Sequence, residues 1–459
     1  MHLLEMALLG NLYSESMKFS TGSEGESREM ETARWHLGTK IAFRFAFIYF
    51  LLYTLWLPFY LVPIPPLPQL YDKYKSLWDA IVPWVSNQVL HLQHDFSNDF
   101  LNTAGGSQDT TAAYIKVLCY LVIAAVATFI WSLLDGNRPN YGWMHKWFIV
   151  YLRLALACTM IPYGMAKIFP TQFPAPPLSR LLQTYGDSSP MGLLWTFMGA
   201  SRTYSFFGGA TEVLAGMLLV IPRLATLGAL VCIGVMSNVL MLNLGYDVPV
   251  KLGSIHLLLM AGFVVAPDWR RLADFFALNR RVEPAVARPL FRSKWLNRSA
   301  VALQVAFGVV LLTFNLYHDD QRTKQVVEFR QNTPLYGIWS VDELKVDGNV
   351  GPPPLTNQAG WQRIVIESRT DGMVEPVRGP NQSLMLHFDA LKKGFSMTSP
   401  ADPGWIAEFT YENPRPDLLI LTGKIGGHAA SATLHKEDES EFFLKSRGFH
   451  WIQEVAVNR

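Results

Sequence analysis

Seven apolar runs, each near the roughly 20 residues that carry a helix across a bilayer, constrain this chain more than any other feature. They are Lys40–Val62, Ala112–Leu134, Trp147–Phe169, Tyr204–Pro222, Leu224–Leu242, Leu252–Ala266 with its flank, the weakest by length, and Ser299–Tyr317. Backbone in lipid has no water to bond, so such runs must be helical. Pro222-Arg223 separates the fourth from the fifth, because proline cannot continue the helical ladder and the arginine marks a lipid boundary. Composition agrees: 17% of residues are charged, against roughly 25% in soluble proteins. A net charge of +2 is too small for a nucleic-acid footprint. The polar stretch Ser14–Arg34 precedes a first run too long for a cleavable signal, so that run reads as a signal anchor, with Met17 and Met30 as alternative starts.

Orientation follows from Lys and Arg, which favour the cytoplasmic side. Residues 269–298 hold eight of them, Arg270, Arg271, Arg280, Arg281, Arg288, Arg292, Lys294 and Arg298, against Asp274 and Glu283. With that segment inside, Arg223, the Arg138/Lys146 loop and Arg34, Lys40 and Arg44 also fall inside. Everything after Tyr317 then falls outside. The expected location is a bacterial inner membrane, with a cytoplasmic N-terminus and a periplasmic or extracellular C-terminal domain. Two outer loops are expected to carry interfacial helices, around Leu77–Val85 and Pro177–Tyr185, because Trp and Tyr favour the membrane interface.

Past Thr333 the texture changes to short alternating segments broken by Gly, Pro, Asn and Asp. Strands are expected at Leu335–Leu344, Trp361–Glu367, Ser383–Phe388, Trp405–Tyr411, Leu418–Lys424, Ser431–His435, Glu441–Leu444 and His450–Ala456. The reading is thus a membrane all-α bundle followed by a soluble β-rich domain, a small barrel or sandwich. Its parts are a polar tail at 1–33, a membrane domain at 34–317, a charged linker at 318–332 and an extracytoplasmic β domain at 333–459.

Ionisable groups inside a spanning helix are costly and mark function or paired charge. Here they are Arg153 and Lys167 on the third run, Glu212 on the fourth and His256 on the sixth, with polar Asn238 on the fifth. At about 1.5 Å per residue, Glu212 lies about 12 Å deep, and Lys167, Asn238 and His256 share its outer half. Gly208 and Gly216 flank Glu212 and should let a neighbouring helix approach, with Arg153 or Lys167 as the cation. A buried ion pair that only fixes packing weighs about equally with a ligand- or proton-handling site. Lys167 could also snorkel to headgroups, and a lone histidine is more often a satisfied core residue. Asp247 and Lys251 sit on the turn between the fifth and sixth runs. His91 and His94 have metal-like spacing without a third ligand, so no metal is expected. Cys119, Cys158 and Cys232 lie in apolar runs with no CxxC pair, which argues against a dithiol relay.

The third to sixth runs resemble the DoxX family, over roughly residues 145–275. The residues that carry the likeness are Tyr163-Gly164-Met165-Ala166-Lys167, Gly209 through Glu212 to Gly216, Leu219-Val220-Ile221-Pro222-Arg223 and Tyr246-Asp247-Val248-Pro249. The resemblance implies a four-helix membrane core and a quinone-linked oxidoreductase subunit or redox accessory. Glu212, Lys167, Arg153 and His256 would then handle charge or protons, Asn238, Tyr163 and Asp247 would meet the quinone, and a membrane or periplasmic redox partner is expected. This chain departs from the short family form by two earlier spans, one later span and the β domain. Two other readings stand beside it. One is a non-catalytic scaffold whose outer domain binds a periplasmic partner or lipid. The other is a small-solute transporter, against which there is neither an inverted repeat nor a clearly broken helix pair.

Overall fold

The structure is a computed structural model that describes residues 34–57, 66–96, 108–282, 289–350, 354–355, 358–389 and 393–457. The polar tail, the alternative starts and the end of the first apolar run at Val62 lie outside the described residues. The chain divides into two units, one of residues 1–165 with 208–315, the other of residues 166–207 with 316–459.

In chain order the helices are α1 (Leu37–Thr54), α2 (Leu67–Gln88), α3 (Thr111–Leu134), α4 (Gly142–Ile168), α5 (Leu178–Leu182), α6 (Pro190–Ala200), α7 (Arg202–Val220), α8 (Ala225–Gly245), α9 (Lys251–Val265), α10 (Trp269–Phe276), α11 (Lys294–Gln331) and α12 (Phe443–Ser446). Seven helical stretches are long and apolar enough to cross a membrane, and they coincide with the seven apolar runs of the sequence. The break at Pro222-Arg223 is a single 3-10 turn, Pro222–Leu224. α11 runs unbroken for 38 residues, so the stretch expected as a linker is helical as far as Gln331.

In the first unit, Leu152, Leu156 and Met160 of α4 share a core with Ala215 and Leu219 of α7, Cys232 and Met236 of α8, and Met260 of α9. Small residues set the spacing, as helix contacts in lipid require. A Cβ on Gly164 would stand 2.6 Å from the Gly209 carbonyl oxygen, and one on Gly216 2.6 Å from Ile161 Cγ1. Gly208, expected to help make that room, faces open space instead. The surface helix α2 turns Trp78 and Val82 inward and leaves Leu77 and Trp84 exposed. The Tyr74–Tyr120 hydroxyl pair at 2.6 Å ties it to α3.

The second unit is built around an eight-stranded antiparallel barrel. Its strands are β1 (Gly337–Val346), β2 (Trp361–Ile366), β3 (Asp371–Pro376), β4 (Gln382–Asp389), β5 (Gly394–Ser399), β6 (Asp402–Arg415), β7 (Leu418–Ile425) and β8 (His428–Lys436). They pair in sequence order, and β8 returns to β1, from Trp339 against Lys436 to Val346 against Ala430. Closure leaves no free edge among the eight. Alternation sends Leu384 and Leu386 of β4 inward and leaves Ser383, Met385 and His387 outside. The inner face, with Trp339, Phe395, Met397, Phe409, Leu421 and Leu434, is a packed core, as an eight-stranded barrel allows. Two strands, β3 and β5, were not anticipated from sequence. Two expected strands are absent: Glu441–Leu444 is a 3-10 turn leading into α12, and His450–Ala456 has no regular structure. Their apolar residues match a strand pattern, but β8 has already closed the barrel.

The loop between the third and fourth spans belongs to this second unit. Leu178 of α5 packs with Ile338, Val365 and Met373, which point outward from β1, β2 and β3. Both carboxylate oxygens of Glu367 reach α5: Oε1 accepts the Leu178 N–H at 2.7 Å and Oε2 accepts the Ser179 hydroxyl at 2.7 Å.

Candidate functional site

A helix leaves its last carbonyls and first N–H groups without partners, and in lipid each unmet group costs several kcal/mol. Several charged residues of the first unit answer that need. Arg153 donates from Nε to the Leu219 carbonyl at 2.8 Å and from Nη2 to the Val220 carbonyl at 3.0 Å, and so caps α7. Arg44 donates to the Asp135 carbonyl at 2.8 Å, to Ser132 Oγ at 2.7 Å and to the Tyr141 hydroxyl, which in turn donates to Asp135 Oδ2 at 2.9 Å. Lys40 donates to the Arg138 carbonyl at 3.1 Å. At the start of α9, Asp109 accepts the Lys251 N–H at 2.6 Å and the Leu252 N–H at 2.9 Å, where a carboxylate also suits the helix dipole.

Arg153 spends its guanidinium seven and eight residues beyond Glu212, roughly 11 Å along the helix. Glu212 itself is buried, with 2% exposure. Lys167, in the last turn of α4 and counted with the second unit, is buried with its ammonium 6.0 Å from the centre of the Phe173 ring. Asn238 is exposed on α8, and the buried amide there is Asn243, which donates to Ser254 Oγ at 2.7 Å. Asp247 is 86% exposed and holds Lys251 at 2.9 Å. His91 takes a left-handed backbone conformation and His94 lies against Phe96. Among the described residues no three His, Cys, Asp or Glu side chains come together as a metal site.

His256 stands in a second polar cluster of the first unit. Its Nδ1 lies 2.6 Å from the Leu252 carbonyl and its Nε2 2.6 Å from the Tyr49 hydroxyl. A carbonyl only accepts, so Nδ1 carries a proton, and in the neutral ring Nε2 accepts from Tyr49. Tyr53, one turn after Tyr49, lies flat on the imidazole, with ring centroids 3.8 Å apart and planes 5° apart. Its hydroxyl makes no hydrogen bond among the described residues, although Tyr49, Tyr163 and Asp109 lie close enough to act on it electrostatically. Tyr163, 41% exposed, brings the neighbourhood to the surface of the unit and accepts from Gln108 Nε2 at 3.4 Å.

The sequence offered a weak sign of this cluster. Tyr49 and Tyr53 are spaced to share one face of the first span. Nothing local pointed them at a histidine 200 residues away. The arrangement can donate and accept protons at Tyr49 and His256, and it has a spare phenolic donor at Tyr53.

Compared with known proteins, the chain is 33% identical over 142 residues to a protein of Bacillus subtilis (strain 168) named "Uncharacterized protein YwoB"; the match covers 30% of this chain and 86% of that protein. No family model matches the chain. No solved structure matches it.

Proposed function

Over those 142 residues the chain belongs to the family of YwoB, and from that premise we propose a DoxX-like, quinone-linked redox component of a bacterial inner membrane. The observation that carries the proposal is the Tyr49–His256–Tyr53 cluster, which places proton-exchanging groups inside a helical unit with spans enough to cross a bilayer. A quinone is lipid-soluble, needs donors for its carbonyls and needs protons when it is reduced. Tyr53 would offer the donor, and Tyr49 with His256 would hold the proton. The matched length, 142 residues, is roughly that of four spans with their turns, which suits a core at 145–275.

The orientation proposed from charge gains independent support from Glu367. Its bonds to Leu178 and Ser179 support a reading in which the loop after the third span and the barrel after the seventh share one side of the membrane. That requires an even number of crossings between them, and α7, α8, α9 and α11 make four. With the basic segment at 269–298 proposed as cytoplasmic, the shared side would be the periplasm. A reporter active only outside, fused after Arg459, should be active, and one fused near Arg288 silent.

A scaffold is the second reading, favoured by the capping work of Arg44 and Arg153. Purified protein should release quinone on solvent extraction and change its spectrum on reduction. Tyr49→Phe should lower quinone turnover by roughly 100-fold or more, the scale of a lost proton-transfer group, a larger effect than the loss of one buried hydrogen bond has on melting. No bound quinone and no spectral change would sink the redox reading. Glu212→Gln separates the two: a scaffold loses roughly 3–5 kcal/mol of stability, whereas a redox protein loses activity first.

A further inference from the structure

After β8 the chain keeps one last foothold on the barrel. Phe442 packs beside Leu178, Ile338, Val365 and Met373. Past α12, residues 447–457 have no regular structure. There Phe449 is 77% exposed, Trp451 92%, Ile452 79% and Val455 74%. The Phe449 and Trp451 rings touch edge to face at 5.0 Å, forming one apolar knob. Single exposed apolar residues are ordinary, but four large ones within seven positions form a surface that wants covering. Arg447 precedes the knob, Lys445 is paired with Glu439, and Glu454 is the lone acid from 447 to 459.

We propose that this segment lies on the bilayer surface, with Phe449, Trp451 and Ile452 at headgroup depth and Arg447 against anionic headgroups. Reach argues for lipid. Leu178, the partner of Phe442, sits just past the end of α4, which is a span. The Gln172 N–H returns to the Ala166 carbonyl at 3.0 Å, folding the chain back to that helix end. Six residues from Gln172 to Leu178 cover at most about 20 Å, and nine from Phe442 to Trp451 reach about 30 Å. Chemistry argues the same way. Aromatic rings favour the interface, and a basic residue beside them adds attraction to anionic lipid.

The test uses the full chain in nanodiscs of phosphatidylcholine with phosphatidylglycerol. Val455→Cys carries an environment-sensitive fluorophore, with the unsubstituted chain as the background for Cys119, Cys158 and Cys232. Emission should shift to shorter wavelength and be quenched ~2-fold or more by nitroxide lipids labelled near the headgroup. Adding Trp451→Ser and Ile452→Ser should abolish the quenching, and about 0.5 M salt should weaken it. Water-like emission without quenching overturns the proposal. So does shifted emission that nitroxide lipids leave untouched, which would mean that a partner protein or a second copy covers the knob.

Discussion

The helical unit and the barrel meet one demand, a partner for every buried backbone N–H and C=O, in opposite ways. The barrel pairs strand with strand and closes β8 onto β1, so its charges are left to the outside, where Lys345 meets Glu343 and Arg363 meets Glu375 and Glu437. The helices satisfy themselves along their length but not at their ends. Charged side chains from elsewhere finish the job: Arg153 for α7, Arg44 for the end of α3, Asp109 for the start of α9. The same residue types therefore cap helix ends inside one unit, whereas outside the other an exposed pair such as Lys345–Glu343 carries little. A charge buried in a membrane helix is a good pointer to importance and a poor pointer to catalysis.

That contrast can be broken by substitution. Arg153→Met should do the most damage, about 2–4 kcal/mol, because it leaves the Leu219 and Val220 carbonyls unmet where no water replaces the donor. Denaturant titration in detergent should show it, and an unchanged midpoint would remove the capping argument. Glu367→Ala should cost less, about 1–2 kcal/mol, through loss of the acceptors for Leu178 and Ser179. It should also speed proteolysis in the loop at 170–200, and unaltered cleavage would mean that the apolar contacts of Leu178 alone hold α5. Lys345→Ala on the barrel should change stability by no more than about 0.5 kcal/mol, because its pair with Glu343 is 42% and 44% exposed. A loss as large as that for Arg153→Met would erase the distinction between the units.

What the sequence determined by itself was periodicity and cost. Long apolar runs gave the seven spans, Pro222-Arg223 gave the turn between two of them, and alternation gave six of the eight strands. These are local signals, fixed by the dimensions of a helix in lipid and by the two faces of a strand. Glu212 and His256 stood out because burying such groups is expensive wherever they point. Their partners were decided only by tertiary structure. Arg153 lies on a helix whose length allows it to face either Glu212 or the end of α7, and the packing of α4 on α7 sent it to the Leu219 and Val220 carbonyls. Tyr49 and Tyr53 looked like two more aromatics in an apolar run until α1 and α9 were brought together around His256. Glu367 looked like a strand-end charge until α5 supplied an N–H and a hydroxyl. A side chain's role depends on which donors and acceptors surround it, and here they come from positions about 65 to 210 residues away, beyond the reach of any local pattern.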